Sequence, residues 1–340
     1  MRHIIYILLM VAVTGLSLGG CHKVDNWGDS AYDNFDALWS ILDSHYCFFE
    51  EKGVDWDSVK REYRPRIKEC ETWIDFFNLC GDMLNELRDG HVNLASYFNT
   101  SYYKKWWSDY PQNYDERLVE QYYLNFDAFS RGGLTYKVLD DSIGYIRYGS
   151  FAYALSETTL DYALYLLEGC DGLIIDIRDN GGGALDNVGT LVSRFIDRRT
   201  LAGYICHKTG SGHNDFSEPY AYYFEPAADW HVKWTKPVVV LTNRSTFSAA
   251  NNFVSVMQDL PQVTLMGDRT GGGGGIPFSS EIPCGWSVRF SASPVYDAQM
   301  KLTENGIEPD IYVNLDPEAA LNGHDTMLDT AIEYLLSQVQ

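Results

Sequence analysis

The sequence predicts an α/β protein, a largely parallel sheet covered by helices and preceded by a small helical region. Two patterns point there. From Asp29 to about Leu94 apolar residues recur at helical spacing, and from Ser142 onward short β-branched runs alternate with amphipathic helices. Composition agrees: 340 residues suffice for one large or two modest domains, and 45% hydrophobic content is ordinary for a globular chain. The net charge of −21 argues against nucleic acid or an anionic membrane surface as partner.

The first twenty residues stand apart from the fold. Arg2 and His3 precede an apolar stretch, Ile4 to Leu18, too short to span a membrane and typical of a signal peptide. Its ending, Leu18-Gly19-Gly20-Cys21, resembles a bacterial lipobox. Cys21 is then expected to become the lipid-modified N-terminus of an envelope protein, the membrane being met through that anchor alone. An ordinary signal cleavage nearby is the alternative.

In the helical region, residues 21–95, Phe35, Leu38, Trp39, Leu42 and Tyr46 share one face. Trp73, Phe76, Phe77, Cys80, Met83, Leu84 and Leu87 share another. The region ends in LRDGHVNL, where Asp89-Gly90 marks a turn and His91 sits on its shoulder, able to project into a cleft. A lone histidine is equally a surface or core residue. Residues 96–140 are aromatic and polar without a clean period, and read as a connection, a lid or a substrate-contact surface. Excluding Cys21, six cysteines remain (47, 70, 80, 170, 206 and 284), widely and irregularly spaced. They read as buried free thiols, with Cys70–Cys80 the one pairing worth considering, and no metal site or cofactor is indicated.

The core, residues 141–340, follows in order. Ile143–Tyr148 alternates as a strand, Thr158–Leu167 is an amphipathic helix, and Gly172–Arg178 is a buried strand. Asp179–Gly183 is a turn and Ala184–Phe195 a helix. A strand after Thr200 leads to a polar loop and then to KPVVVLTNRSTFSAANNFV, residues 236–254. There a buried strand breaks through turn-formers into a helix, placing Ser248 at the helix start. Free N–H groups and the positive dipole end at such a position can stabilise an oxyanion, and a serine there equally serves as an N-cap. Strand Val263–Met266 leads to five glycines, Gly271–Gly275; two β-segments and the helix Asp325–Gln338 close the chain. Neither Gly-rich turn is a phosphate loop, since no Lys-Ser/Thr follows and no G-x-G-x-x-G opens a helix. Both are expected to offer unobstructed backbone N–H groups. No G-x-S-x-G is present.

Taken in order, LRDGHVNL, GYIRYGSF, GLIIDIRDNGGGAL, VVVLTNRSTFSAANNF, GDRTGGGGG and ENGIEPDIYV resemble the C-terminal-processing (tail-specific) serine peptidases, tricorn-like branch. The resemblance implies a crotonase-like (ClpP/crotonase) ββα core and a peptidase acting on unfolded or C-terminal protein segments. Ser248 matches the nucleophile. The branch with a Ser–Lys dyad is not matched, since no lysine lies between Arg244 and Met300, whereas DGHV places His91 where the tricorn-like branch takes its base. The implied oxyanion hole is the N–H of Ala249 with that of Gly181 or Gly182. The tricorn-like branch supports its histidine through a preceding serine and a carboxylate. Gly90 stands in the serine's place, and Glu304, then Glu308, best match the carboxylate. Only about 47 residues separate the DGHV strand from Ser142, too few for the family's PDZ domain of roughly a hundred. The alternative is a catalytically silent lipoprotein binding peptides or apolar ligands on the same scaffold. Oligomeric state is not indicated.

Overall fold

The computed structural model describes residues 28–139 and 142–338; the stretch expected to be a signal peptide and Cys21 lie outside them. The strands are β1 (Asn93–Ala95), β2 (Thr100–Tyr102), β3 (Phe129–Arg131), β4 (Leu134–Val138), β5 (Ile143–Tyr148), β6 (Gly172–Asp176) and β7 (Thr200–Ile205). They continue with β8 (Tyr220–Phe224), β9 (Val238–Thr242), β10 (Val263–Gly267), β11 (Gly275–Glu281), β12 (Ser287–Tyr296) and β13 (Ile311–Tyr312).

One sheet runs β13-β10-β9-β6-β5-β4-β3, parallel from β13 to β5 and antiparallel beyond. Every residue of β6 and β9 is buried, as continuous apolar strands covered on both faces require. Helices Glu157–Leu167, Leu185–Val192 and Ala249–Met257 bury their apolar stripes on one face of this sheet, and Thr326–Ser337 covers the other. The second sheet is antiparallel, ordered β2-β1-β12-β7-β8 with β11 also on β12. The expected parallel α/β core is therefore present, extended at one edge by β4 and β3 and joined by an antiparallel sheet; β2, β3 and β4 fall in residues 96–140, where the sequence carries no clean period.

The N-terminal helices do not stand alone. Their core residues, including Phe35, Leu38, Phe76, Phe77 and Leu87, form one cluster with Ile282, Trp286, Val288 and Phe290 of the β11–β12 hairpin. Helix Trp73–Asn85 starts at a capping box between Thr72 and Asp75, which satisfies free N–H groups at both residues. Past its end β1 pairs with β12, Asn93 opposite Arg289, so the DGHV turn is fastened to the second sheet. The six cysteines in the described residues are free, and Cys70 and Cys80 are not bridged.

Candidate active site

Ser248 lies between β9 and the helix Ala249–Met257 in a backbone conformation rare for a side-chain-bearing residue, φ 58° and ψ −119°. Its hydroxyl caps nothing. The surrounding backbone holds the strain. Phe247 N–H donates to Asn180 O at 3.0 Å on one side, and on the other Ser248 N–H donates to Gly272 O at 2.8 Å. The serine is thus strung between the two glycine turns. The first turn is itself locked: Asn180 donates to Tyr148 O at 2.7 Å, and Asn243 joins Asp179 through its amide at 2.7 Å and its carbonyl at 3.0 Å. Behind it the fully buried Arg178 bridges Asp176 at 2.6 Å and Asp325 at 2.8 Å, tying the end of β6 to the C-terminal helix. Such a buried charge network specifies geometry more than it adds stability.

His91 comes from the turn that leads into β1 of the other sheet. Its Nε2 lies 3.0 Å from Ser248 Oγ, 157 positions away in sequence. Its ring packs on Phe247 at 4.7 Å between centroids, and Phe247 in turn stacks on Trp106 at 4.2 Å. A Cβ on Gly90 would sit 2.6 Å from Trp106 Nε1 and 2.9 Å from Phe247 Cζ, so Trp106 fills the space a serine there would need. The His91 Nδ1 has no partner among the described residues.

Three groups behind the histidine form a buried cluster. Asp89 accepts from the His91 backbone N–H at 2.7 Å and from Ser291 Oγ at 2.8 Å. Glu304 is buried and paired with Lys52 at 2.6 Å. It makes no hydrogen bond to His91, and Glu308 is exposed and paired with Arg269 at 3.6 Å. Glu304 and Glu308 were expected to reach the histidine only through the position that Gly90 occupies, and among the described residues neither is joined to His91: the carboxylate bonded to the histidine segment is Asp89, and Glu304 is anchored on Lys52. Burial drives the His91 imidazole down to about 4, Asp89 pulling the other way. Burial and then the Asp89 charge push the Glu304 carboxyl up to about 8 against the pull of Lys52, because one ammonium can neutralise only one of two buried carboxylates.

The Ala249 N–H, first of its helix, donates to no group among the described residues, and neither does that of Gly181. Gly182 N–H is spent on Asn180 Oδ1 at 3.0 Å, which leaves Gly181 as the donor of the pair. Gly182 itself, at φ 96°, lies so close that a Cβ would meet Ala249 N and Ser248 Cβ at 2.8 Å. In the second turn Gly271 donates to Thr246 O at 2.8 Å and Gly273 to Glu304 O at 3.2 Å. Its role is close packing around Phe247. A cavity of about 260 Å³ opens beside Ser248, walled by Leu185, Ile205, Ile276, Pro277 and Val295.

Sequence reasoning missed Asp89 as more than a turn former, although a carboxylate two residues before an N–H commonly closes such a turn. Lys52 and Ser291 carried no local signal at all.

Residues 142–313 match peptidase family S41, and residues 31–85 match the tricorn protease C1 domain. The chain belongs to peptidase family S41. A solved structure from Parabacteroides merdae, provisionally named a peptidase, is 48% identical with a TM-score of 0.86, covering 91% of this chain and 98% of that one. The carboxy-terminal processing protease CtpA of Bacillus subtilis is 29% identical over 54% of this chain and 37% of its own length. The carboxyl-terminal-processing protease of Synechocystis is 31% identical over 51% and 39%, respectively. This S41 chain thus matches well under half the length of those curated relatives. The two matched segments bear out the resemblance to the tricorn-like branch, and among the described residues the stretch between β1 and β5 holds β2–β4 and short helices, with no PDZ domain.

Proposed function

We propose that this chain is a serine peptidase that hydrolyses peptide bonds in unfolded or C-terminal protein segments, with Ser248 as nucleophile and His91 as general base. The reading rests above all on the 3.0 Å separation of His91 Nε2 and Ser248 Oγ in a serine that caps no helix. Oγ attacks the carbonyl carbon while Nε2 takes its proton. The carbonyl oxygen gains the charge between the N–H groups of Ala249 and Gly181. His91 returns the proton to the leaving amine, and a water then repeats the attack on the acyl-enzyme. The apolar cavity beside Ser248 suits an uncharged side chain on the acyl side. The absence of a serine before His91 and of a partner on its Nδ1 makes the imidazolium less supported than in a full relay, with the nearby Asp89 charge compensating. The leader and Cys21 suggest delivery to the bacterial envelope on a lipid anchor, which replacement of Cys21 by serine and fractionation would test.

Labelling with a fluorophosphonate probe decides between this and a silent binding protein. Wild type should react, and Ser248→Ala should not. His91→Ala should react at least about a hundredfold more slowly, the scale of general-base catalysis. A folded wild type that takes no label would sink the enzyme.

A further inference from the structure

Lys52 is a largely buried cation that the proposed reaction leaves without a role. It ends the short helix Phe49–Lys52 and reaches both segments that carry the Ser–His pair. On the histidine side its Nζ donates to Arg88 O at 3.4 Å, and the Arg88 guanidinium donates back to Lys52 O. Arg88 stands at φ 49°, uncommon for a side-chain-bearing residue, and leads into the turn Asp89-Gly90-His91. On the serine side Nζ meets Glu304 Oε1 at 2.6 Å, the lysine side chain 11% exposed and the glutamate 3%. The Glu304 carbonyl accepts from Gly273 N–H at 3.2 Å, and the carbonyl of the adjacent Gly272 accepts from Ser248 N–H at 2.8 Å. A Cβ on Gly272 would fall 1.9 Å from Glu304 O, so these two backbones touch. One ammonium thus closes a path of contacts from the His91 turn to the Ser248 junction.

A buried ammonium is costly unless carboxylates compensate it. Burial by itself would lower Lys52, and the charges of Glu304 and Asp89 hold it above its ordinary value instead. Tyr46 and Cys47 also face these carboxylates, and burial followed by the Asp89 charge pushes both up, keeping them neutral. Among the described residues Lys52 is the one cation bonded to either Glu304 or Asp89. Resting on the peptidase reading, we propose that Lys52 is a positioning residue, its ammonium fixing the His91 turn and the glycine turn behind Ser248 at the separation proton transfer needs. It acts through Arg88 and Glu304 and bonds neither Ser248 nor His91. Misplacing a reacting pair by about 1 Å costs on the order of a hundredfold in rate, so a tie of this kind bears on kcat rather than on binding.

The test compares Lys52→Gln, which removes the charge, with Lys52→Arg, which keeps it, each verified folded by thermal unfolding. Lys52→Met, which keeps the apolar stem, replaces a glutamine variant that does not fold. Fluorophosphonate labelling of the wild type comes first, and its failure overturns the peptidase reading alone. With labelling established, the saturating rate of probe capture should fall at least about tenfold in Lys52→Gln while the half-saturating probe concentration holds, and Lys52→Arg should return to within about threefold of wild type. The His91 ring reports the same cluster without turnover, through its Hε1 resonance in NMR, assigned by its loss in His91→Ala. Asp89, Arg289 and Lys52 are the charges facing that ring. Its midpoint, about 4 in the wild type, should rise by at least about half a pH unit in Lys52→Gln, because a cation facing the imidazolium is gone, and stay within that margin in Lys52→Arg. Capture at the wild-type rate in Lys52→Gln, equal losses in both variants, a loss confined to half-saturation or an unmoved ring midpoint each overturns the proposal.

Discussion

His91 illustrates how one position combines opposing demands. Burial makes it neutral down to about 4, so it can accept a proton throughout the neutral range, while the imidazolium it becomes must be stabilised by Asp89. The acid limb of kcat/KM should therefore fall near pH 4 rather than near the ordinary 6.5 of histidine, and a midpoint at 6.5 in a pH–rate profile would contradict the buried geometry. The same depression makes stability rise with pH between about 4 and 6.5, because the unfolded chain binds the proton there and the folded chain does not. This contribution is complete above 6.5 and is lost as pH falls through the folded value. Asp89→Asn keeps an acceptor for the His91 N–H and removes the charge. We expect kcat/KM to drop about tenfold, equivalent to roughly 1.4 kcal/mol of transition-state stabilisation, and an unchanged rate would exclude Asp89 from the chemistry. Gly90 shows a residue whose identity is set by a distant neighbour, since Trp106 occupies the volume in front of it.

At the scale of elements, the strand-to-helix junction at Ser248 depends on the turn Asp179–Gly183 more than on its own sequence. Phe247 hangs from Asn180, and Gly182 lies against Ser248 and Ala249. Gly182→Ala would force a Cβ into that contact at φ 96°, where alanine is strained as well. The expected result is a loss in kcat of about a hundredfold, comparable to removing an oxyanion donor, with far-UV circular dichroism preserved. An active variant would show that the turn does not set the oxyanion geometry. Both glycine turns were legible as landmarks, but their division of labour was not. The first turn holds the Gly181 donor beside Ala249 and the second packs Gly273 against Phe247, and these placements arise only after folding.

Across the whole molecule, His91 stands on the turn before β1 of one sheet and Ser248 on the turn after β9 of the other, and the hairpin β11–β12 runs from the Gly271–Gly275 turn beside Ser248 to β1. Strand β12 pairs with β1 next to His91, holds Asp89 through Ser291, and closes the helical core with Phe290. Phe290→Ala should cost about 3–5 kcal/mol, as for other fully buried aromatics, and should lower activity through the position of β1. Denaturant unfolding measures the first effect, and an unchanged midpoint would contradict a shared core. By itself the sequence determined the α/β class, a largely parallel sheet covered by helices, the family, and the two residues whose side chains could carry the reaction. Periodicity and turn chemistry are local properties, and those features are written locally. The tertiary structure alone decided that Lys52 anchors Glu304 and that Asp89 rather than Glu304 bonds the histidine segment. Each of these joins side chains from separate segments, and only packing determines which charges are buried together.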